Sequence, residues 1–434
     1  MTESNNTYIK PNLYSEASAK EGYKKTKLGW IPEDWNISSV GNYLDFIGGN
    51  AFKSDDSTEE GVRWLKIANV GIQKIIWEDE SHLPSDFSNR FEKYLLSEGD
   101  VVMALTRPIL NNRLKIARLD RIDSGALLNQ RVGKLLPKEN SSLRYFYYLF
   151  QTNYVVHRME VAMAGTDPPN IGFSDLRKIK ISVPPLPEQK KIAAILFTWD
   201  RAIETLEQLL AKKEDLKKGL MHQLLNGEKR FPGFEGEWRE VRFKDVVKID
   251  AKSLNSKTLP DYEFEYISLS DVENGQISKE LEVHEFKDAP SRAKRIVSEG
   301  DILMATVRPN LQAFALAKKE HHGKIASTGF AVLTPKKDFN IKYLYHCLFS
   351  HHVSGQFYAL TVGSNYPAIN SSDVKKLKIR LPADYEEINK IESVLTNIDK
   401  EIKSLEKKKE MLTIQKQGLM QQLLTGKTRV YESY

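Results

Sequence analysis

Cysteine is nearly absent from this chain: one residue, Cys347, in 434. A lone thiol closes no internal disulfide and builds no cysteine-based zinc site, which agrees with a reducing compartment. Its surroundings, YLYHCLF, read as a buried helix face, so a thiol nucleophile finds no support there. Long apolar runs are also missing. No stretch reaches the roughly 18 residues that a membrane span requires, and the opening MTESNNTYIK is too polar for a signal peptide. The expected location is therefore the cytoplasm, with no membrane partner. A dominant charge is lacking as well: the net +6 is spread over the whole chain and leans only mildly towards polyanions. What remains is an ordinary composition, 41% hydrophobic and 28% charged, in a chain long enough for several domains.

Motifs of catalysis are missing too. There is no G-x-S-x-G or other nucleophile constellation. His321-His322 and His351-His352 are adjacent pairs whose rings diverge, with no third ligand at metal spacing. TGKT at 425–428 follows a helical pattern rather than a strand, and Gln421 stands where a phosphate-binding loop needs its first glycine. AGTDPPNIGF carries Asp167-Pro168-Pro169-Asn170, one residue from the D-P-P-Y of adenine methyltransferases. Asn170 has no ring to stack on a flipped base, and FIGGN at 46–50 lacks the G-x-G spacing of a donor site. No metal, cofactor or catalytic residue is expected in this chain.

What the sequence does contain is itself, twice. GLMHQLLNGEKR (219–230) returns as GLMQQLLTGKTR (418–429), and SEGDVVMALTRP (97–108) as SEGDILMATVRP (298–309), about 200 residues on. Weaker echoes join WNISSVGNYLDF (35–46) to WREVRFKDVVKI (238–249) and DLRKIKISVP (175–184) to DVKKLKIRLP (373–382). Each half starts with apolar alternation, passes through Gly-punctuated turns into short buried strands at 101–105 and 302–306, and closes with a long helical pattern. Pro185 and Pro187 precede the first long helix, Glu188 sits in its opening turn, and Asn226-Gly227 marks its end.

Within these patterns Leu196, Trp199, Ile203, Leu206, Leu210 and Leu220 keep a 3-4 spacing, interrupted by Lys213 and Lys217. The second copy offers Leu395, Ile398, Ile402, Leu405, Leu412 and Leu419. A helix of about 40 residues rises roughly 60 Å, so a lone one leaves its stripe exposed. Antiparallel pairing of the two copies is the simplest cover and makes a rigid spacer with a pseudo-two-fold internal repeat. Packing of each helix on its own domain is the alternative. The expected fold is α+β: a tail over 1–26, globular domains over 27–185 and 231–383, and helical spacers over 186–230 and 384–434.

The scaffold is repeated while the middles, roughly 50–95 and 250–296, hardly match. Two divergent surfaces on one frame suit a target with two unlike parts, such as DNA with two different half-sites. Arg107, Asn111, Asn112 and Arg113, with Arg308, Asn310 and Gln312 in the other half, supply guanidinium and amide forks able to read base edges. Arg107 and Arg308 occur in both copies, which favours a phosphate contact over an internal ion pair. Lys178, Lys180, Lys376 and Lys378 either add phosphate contacts or solvate a strand. The Asp167 stretch aligns with VGSNYPAIN (362–370), keeping only Gly, Pro and Ile, a backbone requirement. Thr166 and Asn170, with Ser364, Asn365 and Tyr366 opposite, become candidates for touching DNA.

Taken together, GWIPEDW, PPLPEQKKIAAIL followed by Asp200, Ile203 and Leu206, GLMHQLLNGEKRFPGF and GLMQQLLTGKTRV resemble the specificity subunit of type I restriction-modification systems over nearly the whole chain. The resemblance implies two tandem target recognition domains reading a bipartite double-stranded DNA site, with the paired helices, an antiparallel coiled coil, acting as a ruler. It also implies docking of two modification subunits, which carry S-adenosylmethionine and catalysis, and of restriction subunits that use ATP and magnesium. The chain itself is then non-catalytic. A self-sufficient adenine-N6 methyltransferase and a coiled-coil nucleic-acid-binding scaffold are the alternatives. The second long helix departs from the family pattern, opening with PADYEEINKIESVL and one extra residue.

Overall fold

The computed structural model describes residues 21–430 except 79, 274, 338 and 362–366. The chain divides into two compact units, Met1–Thr205 with Lys409–Tyr434, and Leu206–Lys408. Both divisions fall inside long helices, Leu186–Leu225 and Tyr385–Leu423, so each unit owns part of each helix.

In the first unit a four-stranded antiparallel sheet has the order Ile116–Arg118, Val101–Ala104, Val132–Pro137, Leu44–Gly48. Val101–Ala104 is apolar at every position and buried on both faces, as an inner strand requires. The strand that enters the domain, Asn36–Ser39, pairs antiparallel with the one that leaves it, Lys180–Val183. Helices Leu143–Leu149 and Asn153–Met163 cover the sheet, capped by the hydroxyls of Ser142 and Thr152.

The second unit repeats this plan. Its first sheet has the order Val247–Ile249, Phe330–Pro335, Ile302–Ala305, Phe314–Leu316, and Arg239–Arg242 pairs with Lys378–Leu381. Cys347 lies buried on helix Ile341–Leu348, where desolvation pushes its thiol up and leaves it unreactive.

The helices do not stand apart as domains of their own, and the 186–230 and 384–434 spacers are corrected accordingly. In the first unit Ile192, Ala193 and Leu196 join Leu423 and Leu424 in the domain core, with Leu419 packed against it. In the second, Met221, Leu224 and Leu225 join Ile388, Ile391 and Leu395, with Leu220 against them. Each stripe is thus covered both by a globular core and by the other helix. Complete burial of one leucine contributes about 2 kcal/mol, enough to favour that cover over solvent.

Within each unit the helix segments run antiparallel. Glu188 meets Arg429 and Asp200 meets Lys416 in the first; Lys213 meets Glu401 and Lys217 meets Asp399 in the second. Leu206, Leu210 and Ile398 are buried, whereas Trp199, Ile203, Ile402, Leu405 and Leu412 are half-buried. Lys213 and Lys217, which interrupt the stripe, are the residues that make the ion pairs, at 2.5 and 2.6 Å.

The tail needs a second correction. Tyr23–Thr26, assigned to it, pairs with Gly29–Pro32 as a hairpin, and the Tyr23 hydroxyl donates to the Gly426 carbonyl at 2.8 Å. Alternation is too short over four residues to register as a strand in the sequence. Among the described residues no helix is long and apolar enough to cross a membrane.

Candidate nucleic-acid interface

The inner strand Val101–Ala104 runs out into Thr106 and Arg107, whose backbone turns left-handed at φ 46°. There the Arg107 N–H donates to the Pro169 carbonyl at 2.7 Å, and the Ile171 N–H donates back to Leu105 at 2.9 Å. The second unit builds the same joint: Arg308 has φ 49°, its N–H meets Pro367 at 2.7 Å, and Ile369 meets Thr306 at 2.9 Å. A left-handed backbone costs a non-glycine residue about 1 kcal/mol, so an arginine held there twice is held for its side chain. Gly, Pro and Ile of the loop serve the backbone, and the D-P-P likeness is incidental to that role.

Side-chain bonds brace the first loop. The Thr166 hydroxyl donates to the Met163 carbonyl at 2.7 Å and accepts the Asn170 N–H at 3.1 Å, while the Thr106 hydroxyl donates to Asn170 Oδ1 at 3.0 Å. Thr166 is therefore a loop-building residue, and Asn170 keeps its amide NH2 for other partners.

Beyond Arg107 the units diverge. Ile109–Leu110 and Arg113–Leu114 form a hairpin around Asn111 and Asn112, at φ 51° and 58°. Two consecutive positive angles define a type I′ turn, which asparagine tolerates well. Asn111, Asn112 and Arg113 are all exposed. In the second unit the same place holds a single 3-10 turn, Pro309–Leu311, which leaves Asn310 exposed. Gln312 is half-buried, its amide donating to Ser354 Oγ at 3.3 Å. Each tip also exposes a leucine, Leu110 at 53% and Leu311 at 67%. Ser364, Asn365 and Tyr366 lie outside the described residues.

Asn170 and Thr106 share an open depression of about 600 Å3 with Asp167, Gln130 and Arg131. Gln130 and Arg131 escaped sequence reasoning; the signal was the mismatch of LLNQRVGKLLP (127–137) with IASTGFAVLTP (325–335) inside otherwise matching strands. The four lysines have local partners: Lys178 with Asp175, Lys180 with Ser39, Lys376 with Asp373 and Lys378 with Glu240. They solvate and pin the entry and exit strands. His321 accepts the Lys318 N–H on Nδ1 at 3.0 Å, and burial lowers its basicity.

A second repeated constellation also went unread. Arg429 reaches Glu188 at 2.8 and 2.9 Å and Asp34 at 2.6 Å, and the Trp35 indole donates to Glu188 at 3.0 Å. In the other unit Arg230 forks onto buried Glu387 at 3.0 and 2.7 Å. The terminal arginines of the repeated GLM…R segments are thus clasps between the end of one long helix and the start of the other. The glycines before them, Gly227 and Gly426, both have φ 72°, and a side chain at Gly426 would strike Pro32 at 2.6 Å.

The type I restriction modification DNA specificity domain matches residues 32–214 and again 235–413. The MjaVIII type I restriction enzyme specificity subunit of Methanocaldococcus jannaschii is 39% identical over 211 residues, covering 48% of this chain and 50% of that protein. The EcoAI specificity subunit of Escherichia coli is 31% identical over 193 residues, 44% of this chain and 32% of its own. The chain thus spans half or less of these two relatives. The putative MjaX specificity subunit of M. jannaschii aligns over 443 residues at 24% identity, 95% of this chain and 97% of that one. Among solved structures, the S subunit of a type I restriction-modification system from M. genitalium has the same fold, with a TM-score of 0.59 at 17% identity over 90% of this chain and 96% of that one. Both halves carry the domain, in the order the repeat requires, and the chain belongs to the type I restriction modification DNA specificity domain family.

Proposed function

We propose that this chain is the DNA sequence-specificity subunit of a type I restriction-modification complex, contacting an asymmetric bipartite duplex site with one unit on each half. The observation that carries this reading is a loop built twice on the same backbone bonds, Arg107 to Pro169 and Arg308 to Pro367, yet flanked by different side chains. A common arginine suits the common phosphate backbone, and differing neighbours suit differing bases. The chain passes from one unit to the other only within the two long helices, so their length is the natural determinant of half-site separation.

In this reading the repeated scaffold docks two modification subunits, one per copy. These bring S-adenosylmethionine and the pocket for a flipped adenine; restriction subunits bring ATP and magnesium. The chain itself holds no cofactor and performs no chemistry. Purified alone it should bind no S-adenosylmethionine and methylate nothing, while adding the modification subunit should yield sequence-specific adenine methylation. Donor binding and methylation by the lone polypeptide would overturn the reading in favour of a self-sufficient methyltransferase. Removing about one turn from either helix should change the accepted spacer and leave both half-sites readable; an unchanged spacer contradicts the ruler.

A further inference from the structure

The turn that carries Gln130 and Arg131 is built the same way in both units. In the first, the Arg131 carbonyl accepts from Leu105 at 3.0 Å and its N–H donates to Asn129 Oδ1 at 3.3 Å. In the second, the Gly329 carbonyl accepts from Thr306 at 2.8 Å and its N–H donates to Ser327 Oγ at 3.1 Å. These bonds make Arg131 equivalent to Gly329 and Gln130 to Thr328. The neighbouring bridges, Thr106 with Asn170 and Val307 with Ala368, extend the equivalence. At four matched backbone positions the first unit therefore carries Thr, Gln, Arg and Asn, and the second Val, Thr, Gly and Ala.

Thr106 and Asn170 bond each other within the first loop, but Gln130 and Arg131 are unneeded for their turn, since the second unit makes the same turn with Thr328 and Gly329. The side chains of Gln130 and Arg131 are exposed, and among the described residues neither has a hydrogen-bond or ion-pair partner. Asp167 lines the same depression. A carboxylate repels a phosphate but accepts from a base amino group, so donors and acceptors gathered here match base edges better than backbone.

We propose, resting on the specificity-subunit reading, that Arg131 reads a guanine edge in the half-site contacted by the first unit, with Gln130 beside it on the neighbouring base. The second unit, with Gly329 and Thr328, leaves the equivalent base pair unread from this turn. The discrimination is thus built into one half of the recognition site only, which makes the other half an internal control.

The test uses the full chain reconstituted with its modification subunit and S-adenosylmethionine on a library of random-sequence duplexes, with methylated sites read by sequencing. The wild-type complex should require a G·C pair at one position of one half-site. Arg131→Ala should reduce discrimination at that pair by about tenfold or more, with the spacer and other half-site unchanged. The double variant Gln130→Thr with Arg131→Gly, which installs the second unit's residues, should relax the same position. Intact readout of the second half-site shows that either variant is folded. Unchanged specificity, or a uniform loss of affinity with a shallower salt dependence, would overturn the inference by making Arg131 a bystander or a phosphate contact. A wild-type complex with no sequence preference would instead remove the reading on which the inference rests.

Discussion

The two units agree in their clasps, joints and inner strands and disagree at the loops those elements present. Agreement lies where two elements must be fastened: Arg429 on Glu188 and Arg230 on Glu387, Lys416 on Asp200 and Lys217 on Asp399. Disagreement lies where side chains face solvent, as with Arg131 against Gly329 or the Asn111-Asn112 hairpin against the Pro309–Leu311 turn. Duplication kept what holds the frame and released what faces solvent.

The clasps offer the largest test of that equivalence. Arg429→Ala strands Glu188, which is buried beside Trp35, and should cost the first unit about 3 kcal/mol, seen as lost amide-exchange protection there. Arg230→Ala is the matching lesion and should lower protection in the second unit instead. If either variant loosened both units equally, the clasps would not belong to separate units.

A smaller effect separates the units by pH. His346, hydrogen-bonded to Thr396 at 3.0 Å and facing Asp399, has its pKa lowered to about 4 by burial, from an ordinary 6.5. The unfolded chain therefore takes up a proton that the folded unit refuses. This site costs nothing above 6.5, and stability falls between 6.5 and about 4, by about 2 kcal/mol at pH 5. The first unit has Tyr148 at the repeat-equivalent place, bonded to Asp200 as His346 faces Asp399, and should show no such window. Exchange protection of the second unit at pH 6.5 and 5 checks this, and His346→Gln should remove most of the difference.

These features also mark what was legible in the sequence. The repeat, the inner strands, the buried Cys347 helix and the antiparallel helices followed from periodicity, because burial imposes a period on a chain. The clasps did not: an arginine after a helix gives no local sign of a carboxylate some 240 residues away, as Arg429 finds in Glu188. Arg107, Asn111, Asn112 and Arg113 stand out because they cluster in sequence, and Asn170 because its stretch aligns with the other copy, whereas Gln130 and Arg131 join Asn170 only through the fold. The tail ends sooner than its polar sequence suggests because the hairpin after it is held by Gly426, some 400 residues away.

Arg107 and Arg308 test the shared half of the proposed interface. Glycine accepts their left-handed backbone, so Arg107→Gly and Arg308→Gly should fold normally. Each should weaken binding to every sequence by a few-fold and lower the salt slope by about one, with base preference unchanged. Altered base preference would transfer these residues to the divergent set.

Lys213 and Glu401 should matter least. Their pair is partly solvated, and the repeat places Leu412 and Ala202 at the equivalent positions. Lys213→Leu with Glu401→Ala should change stability by less than about 1 kcal/mol in thermal unfolding. A larger loss would mean that the charged pair, not the stripe, holds the helices together in that unit.

The most direct measurement is the map of adenines methylated by the reconstituted complex across a genome. The proposed function, with one scaffold bearing two different surfaces, predicts two unlike half-sites separated by a spacer of fixed length and free sequence. A palindromic site, a continuous one, or methylation without sequence preference would contradict it.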